Sequence, residues 1–176
     1  LNIVAINNLQ LTTIDVGGAF LEAFLGRNDI YVSLQADVVK QLVILDPKYN
    51  KFINEKGRII VQLLKAMYGL KEASMEWYQT LVSRLKSIGF YPSKHDAALM
   101  IKDKNNMILA HVDDLLIVSD DENIETTIES IKNCFNKIEV HQENESMHYI
   151  GMVIERNRKN KSIKISQPGY IKEIIS

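Results

Sequence analysis

Residues 107–119 read M-I-L-A-H-V-D-D-L-L-I-V-S. Two short apolar runs flank the adjacent carboxylates Asp113 and Asp114, and each run is bounded by polar residues, the pattern of buried strands. The stretch is read as a β-hairpin with both aspartates at its tip. Two-residue hairpin turns favour Asn-Gly or Asp-Gly, because positive φ is needed there, and this tip has no glycine. It sets two like charges side by side, which repel unless something neutralises them. A divalent cation does so, and Mg²⁺ takes hard oxygen ligands of this kind. A solvated acidic turn is the simpler account of an isolated Asp-Asp pair, since turns favour Asp. The decision therefore falls to the rest of the chain.

A chain of 176 residues has room for one sizeable core, or one domain plus part of another. The net charge of −1 gives no global basic field, so a polyanion groove would need local clustering of the 21 Lys and Arg. Cys134 is the single cysteine. It excludes an intramolecular disulfide framework and fits a reducing compartment. Its place in an amphipathic helical segment marks it as a structural thiol. No apolar run approaches the roughly 18 residues of a membrane-spanning helix. The chain starts L-N-I-V, with neither an initiating Met nor a charged leader, and reads as a segment of something longer.

Residues 1–8 are apolar without a decisive period and fit the end of a helix. Residues 10–16 are β-branched and read as a strand ending in Asp15, followed by Gly17-Gly18 and a helical stretch over 19–25. Glycines at such a place let backbone approach a ligand and offer free N–H groups to an anion, although a plain strand-turn-helix connection needs them as well. Short strands are expected at 30–32 and 58–64, with a helix at 37–45 and a loop between. From Met75 the apolar residues Tyr78, Leu81, Val82, Leu85 and Ile88 share one helical face, which Gly89 ends. Strands follow at 97–102 and 107–112. Ser119-Asp120-Asp121-Glu122 resembles a capping box ahead of Ile124, Ile128, Ile131 and Phe135, which repeat at helical spacing. A short strand at 137–140, a hairpin of 147–156 with 162–166, and a closing helix at 169–175 complete the chain. Hairpin connections dominate, which argues for an α+β fold: an antiparallel sheet with helices packed on one face.

Three carboxylates stand out: Asp15 at a strand end, and Asp113 with Asp114. Adjacent strands of one sheet would bring them together, and such a cluster would hold two Mg²⁺ ions roughly 3.5–4 Å apart. Competing chemistries lack their signatures. Cys134 is alone and the histidines show no zinc-ligand spacing; there is no nucleophile elbow and no P-loop.

Several motifs then appear in one order: Asp15-Val16-Gly17-Gly18-Ala19-Phe20-Leu21; Met67-Tyr68-Gly69-Leu70-Lys71-Glu72-Ala73 with Trp77-Tyr78; His111-Val112-Asp113-Asp114; Tyr149-Ile150-Gly151-Met152 with Ile154-Glu155; and Ser166-Gln167 with Tyr170-Ile171. Together they resemble the reverse transcriptase of copia-type LTR retrotransposons, over nearly the whole chain. The resemblance implies an RNA-directed DNA polymerase fragment that adds deoxynucleotides to a primer 3′-OH by two-metal phosphoryl transfer. The alternative is a non-catalytic, degenerate or domesticated remnant that keeps the fold and perhaps the nucleic-acid binding.

It also implies roles. Asp15, Asp113 and Asp114 would be the catalytic carboxylates, holding two Mg²⁺ (or Mn²⁺) ions with help from the Val16 carbonyl. Gly17, Gly18 and Ala19 would offer backbone to the triphosphate, and Phe20 would be a steric gate against a ribose 2′-OH. Tyr68, Gly69 and Lys71 would lie near nucleotide and template. Ile150, Gly151 and Met152 would form the primer grip. The implied partners are an RNA or DNA template with primer, deoxynucleoside triphosphates, and the integrase and RNase H of the same Pol polyprotein, with no membrane. The implied location is the cytoplasm, in virus-like particles, with the nucleus as a second compartment. The implied division is palm over 1–28 (the first catalytic strand), partial fingers over 29–66, palm with catalytic hairpin and primer grip over 67–158, and the end of the palm with the start of the thumb over 159–176. Three positions depart from the family pattern: His111 stands for Tyr or Phe, Glu72 for Gln, and Ser74 for Pro. The basic residues Arg156, Arg158, Lys159 and Lys161 are read either as phosphate contacts or as a solvated turn.

Overall fold

Alternation along short strands decides the main sheet, because residues two apart share a face. The computed structural model describes residues 1–142 and 146–175. Helix α1 (Asn2–Asn7) leads into strand β1 (Gln10–Val16), and a 3-10 helix at Ala19–Glu22 follows the glycine pair. Strand β2 (Tyr31–Leu34), helix α2 (Ala36–Leu45), a second 3-10 helix (Pro47–Phe52) and strand β3 (Ile59–Gln62) come next. Helix α3 (Ala73–Ser87) precedes strands β4 (Tyr91–Pro92), β5 (Leu99–Ile101), β6 (Met107–His111) and β7 (Asp114–Ser119). Helix α4 (Ile124–Lys132) and strand β8 (Ile138–Gln142) follow. Strands β9 (Ser146–Tyr149), β10 (Met152–Asn157) and β11 (Ser162–Ser166) and helix α5 (Pro168–Ile175) close the order.

The main sheet runs β4-β5-β6-β7-β1-β8, with every neighbouring pair antiparallel. One of its faces carries Ile14, Val16, Ile108, Leu115 and Ile117, packed on Trp77, Leu81 and Leu85 of α3 and on Ile124, Ile128 and Ile131 of α4. Burying each such side chain contributes about 1.5–3 kcal/mol before entropy is counted. The other face holds a smaller core in which Leu11, Leu116 and Val118 meet Val4 of α1 and Met147, Tyr149 and Ile154 of the three-stranded sheet β11-β10-β9. The mixed fold with an antiparallel sheet is therefore as expected; α3 and α4 share one face, but α1 packs on the other. The second sheet on the opposite face was not expected.

Several boundaries differ, each for a stated reason. The hairpin turn is Val112-Asp113 rather than the two aspartates, because Asp114 joins the ladder opposite His111. The helix expected at 19–25 stops at Glu22. Ala23 is extended, its carbonyl accepts the Ala66 N–H at 2.9 Å and Phe24 bridges Lys65, so tertiary pairing wins over local propensity. The loop expected after α2 contains the 3-10 helix at Pro47–Phe52, capped by the Asp46 side chain accepting from the Lys48 N–H. The expected capping box does not form: α4 starts at Ile124 with Asn123 as N-cap, and the Asp120 carboxylate accepts the Asn123 N–H instead. Residues 147–156 are two strands, split by a two-residue turn in which Ile150 (φ 43) and Gly151 (φ 75) both take positive φ. Within the basic stretch, Arg158 donates to the Asn8 carbonyl and to Asp121, and Lys161 to the Ile6 carbonyl, so these two cations meet carbonyls at the C-terminal end of α1.

Candidate active site

Strand register sets the acidic cluster. Asp15 pairs with Asp114 across β1 and β7, and with Glu139 across β1 and β8. Cross-strand partners point to the same face, so Asp15, Asp114 and Glu139 share the face away from α3 and α4, with His141 two residues along β8. Asp113 sits exposed in the adjoining turn, and its carbonyl accepts the Val16 N–H at 2.9 Å. Burial pushes the Asp15 carboxyl above its ordinary range, and the charges of Asp113, Asp114 and Glu139 push it further, against a smaller opposing effect of His141. That response belongs to a site short of positive charge. Among the described residues, however, no three His, Cys, Asp or Glu side chains form a ready metal cage. The donor chemistry fits a hard divalent cation, and the acids share one end of the sheet without being drawn together.

The turn that carries Asp113 is strained. Val112, a β-branched residue, takes φ 53, a conformation that costs such residues energy and is held only by its surroundings. The holding group is Trp77, whose indole N–H donates to the Val112 carbonyl at 2.6 Å.

A cavity of about 710 Å³ opens beside this turn, lined by Gly18, Ala19, Phe20, Tyr68, Asp113 and Asp114, and also by Leu21, Met67, Ser74, His111 and Val112. The rings of Phe20 and Tyr68 stand 6.2 Å apart. A second cavity, of about 520 Å³, is lined by Asp15, Asp114, Glu139, His141 and His148 among others, so Asp114 forms a wall of both. The structure thus gathers Gly18, Ala19, Phe20, Tyr68, Asp113 and Asp114 around one space. Asp15 lies on the other side of Asp114. The Val16 side chain is fully buried. Gly69 and Lys71 are exposed beyond the cavity wall, with Gly69 at φ 93. Gly17 is covered by the Lys137 stem, whose Cδ stands 2.8 Å from where a Cβ would be. Ile150, Gly151 and Met152 occupy the tip and exit of the β9–β10 hairpin. Tyr149, just before that tip, donates its hydroxyl to the Leu109 carbonyl at 3.1 Å. Burial and then the charge of Asp114 push its phenol up to about 12.

Of the departures, Glu72 accepts from Arg27 at 3.1 Å, so its charge is matched at the surface. His111 and Ser74 both line the larger cavity. Sequence reasoning missed Glu139, His141 and Lys137. The available signal was the alternation of residues 138–142, I-E-V-H-Q, which gives that strand a polar face.

The profile of the family described as reverse transcriptase (RNA-dependent DNA polymerase) matches residues 1–176. The chain is similar to the retrovirus-related Pol polyprotein from transposon RE1 of Arabidopsis thaliana, 28% identical over 93% of this chain and 10% of that polyprotein. It is 27% identical to the retrovirus-related Pol polyprotein from transposon TNT 1-94 of Nicotiana tabacum, over 99% of this chain and 12% of the relative. The truncated transposon Ty1-A Gag-Pol polyprotein of Saccharomyces cerevisiae matches at 27% over 66% of this chain and 8% of its own length. The chain spans about a tenth of the length of these curated relatives. With its whole length inside one family profile and similarity to the transposon polyproteins named above, the chain belongs to the reverse transcriptase (RNA-dependent DNA polymerase) family, in its copia-type retrotransposon branch.

Proposed function

We propose that this chain is the palm of an RNA-directed DNA polymerase with part of its fingers, and that it extends a primer 3′-OH with deoxynucleotides. The observation that carries the reading is the cross-strand pairing of Asp15 with Asp114, next to the turn that bears Asp113 and beside the cavity lined by Phe20 and Tyr68. Two Mg²⁺ or Mn²⁺ ions, when bound, would activate the hydroxyl and offset charge on the departing pyrophosphate. Asp15, Asp113 and Asp114 would hold them, with the Val16 carbonyl as a further ligand.

The chain's own residues supply position. Gly18 and Ala19 present backbone to the triphosphate without side-chain obstruction, and Gly17 lies alongside. Phe20, against Tyr68, occupies the space a 2′-OH would need. Gly69 and Lys71 continue that side toward the template, and Ile150, Gly151 and Met152 hold the primer strand. The unit of β2, β3 and α2, whose strands form a separate two-stranded sheet among the described residues, supports the assignment of residues 29–66 to the fingers.

The test is primer extension on a poly-rA template by this chain and by a longer Pol protein that contains it. Asp113→Asn is expected to lower extension at least about a hundredfold, the scale of losing one charge-stabilising group in a preorganised site. Equal extension by the variant would end the metal assignment.

A further inference from the structure

A buried carboxylate outside the proposed chemistry lies behind the cavity. Glu22 is 4% exposed. A charge so enclosed persists only when its oxygens are matched by donors, and these are. One oxygen accepts from Arg84 Nη1 at 2.8 Å and from Asn136 Nδ2 at 2.7 Å, and the other accepts the Asn136 backbone N–H at 2.9 Å. Arg84 also donates to the Glu22 carbonyl at 3.2 Å and to the Cys134 carbonyl at 3.0 Å. The cluster therefore joins three separate segments: the 3-10 helix after β1, helix α3, and the link between α4 and β8.

Those segments lead to two parts of the lining of the proposed nucleotide cavity, Phe20 and the Val112-Asp113 turn. Glu22 ends the 3-10 helix that presents Phe20. The Arg84 guanidinium lies 5.2 Å from the centroid of the Phe135 ring, Phe135 packs 5.8 Å from Trp77, and Trp77 holds the Val112 carbonyl next to Asp113. Stability alone is a weak reason for such an arrangement, since apolar residues of similar volume often replace a buried ion pair at no loss.

We infer that Glu22 is a positioning residue: through Arg84 it fixes the placement of Phe20 relative to the Val112-Asp113 turn, and so the width of the nucleotide cavity. The consequence for nucleotide use rests on the polymerase reading; the consequence for Trp77 does not. Glu22→Gln puts an amide N–H among donors, so at least one of the three contacts must open and the linked walls shift.

Two measurements on the purified chain test this. Trp77 is the only tryptophan, so its emission reports the Val112 end directly. Glu22→Gln is expected to shift that emission while far-ultraviolet circular dichroism stays native. In primer extension it is expected to raise the deoxynucleotide KM roughly 3- to 10-fold with kcat little changed, as loss of ground-state placement predicts. The double variant Glu22→Leu with Arg84→Met is expected to recover the melting temperature but neither the emission nor the KM. Unchanged Trp77 emission in a folded Glu22→Gln protein would overturn the inference, as would recovery of all three properties in the double variant. A wild-type chain that extends no primer would remove the polymerase reading for this chain alone, and the emission result would still decide the role of Glu22.

Discussion

Two partly enclosed acids shift in opposite directions, and the difference is one of partners. Burial would raise the Glu22 carboxyl, but the Arg84 hydrogen bond and the two from Asn136 outweigh it and hold the group below the usual carboxylate range. Its stabilising contribution is present above the unfolded value near 4.3 and is lost as pH falls through the lower folded value. Among the described residues Asp15 has no such donors, and it faces further acids, so its carboxyl is raised. A raised acid costs stability above its folded pKa, and that cost disappears as pH falls toward the unfolded value near 3.9. Asp15→Asn is therefore expected to raise the melting temperature at pH 7 by up to about 4 °C, with the gain fading as pH falls and gone by about pH 4. Mg²⁺ or Mn²⁺ is expected to raise the melting temperature of the wild type, and the same substitution to abolish that rise, since only binding to the native state raises it. Thermal melts with and without the cation at the two pH values check both effects. No gain at pH 7 would mean that the acids do not repel one another in the folded chain.

Among the elements, the β6–β7 hairpin depends on a helix that it does not touch in sequence. Val112 is held at positive φ, and the Trp77 indole of α3 takes up its carbonyl. Trp77→Phe keeps the ring against Phe135 but removes the donor, with an expected loss of about 1–2 kcal/mol for the unmatched carbonyl and freed turn. Chemical denaturation measures the loss, and primer extension is expected to fall with it. A variant as stable and active as the wild type would show that the turn holds itself. The glycine turn after β1 works differently: Gly18 takes φ 70 without help, a conformation only glycine adopts freely.

Across the whole molecule, stability is uneven because the two cores are unequal. Strands β1 and β7 lie inside the six-stranded sheet and are packed on both faces, whereas the three-stranded sheet rests on the smaller cluster of Met147, Tyr149 and Ile154 with Leu11 and Leu116. Amides of β10 and β11 are expected to exchange through openings at least about 1 kcal/mol cheaper than those of β1 and β7, as native-state hydrogen exchange would show. Equal protection would mean that both sheets open as one unit. Much of this architecture was legible in the residues. Short apolar or β-branched runs marked β1, β6 and β7, and a period of 3.6 marked α3 and α4, because burial imposes such patterns whatever the partner. The motifs around Asp15 and Asp113 were legible through the family resemblance. The acid facing Asp15 from β8, the split of residues 147–156 into two strands and the Glu22–Arg84–Asn136 cluster were not. Each depends on which segment lies across the way, and side-chain spacing along one chain carries no record of that. Sequence alone determined which faces had to be buried and which acids stood at strand ends; tertiary structure decided which acids became neighbours, because register and packing between distant segments are set only when the strands pair.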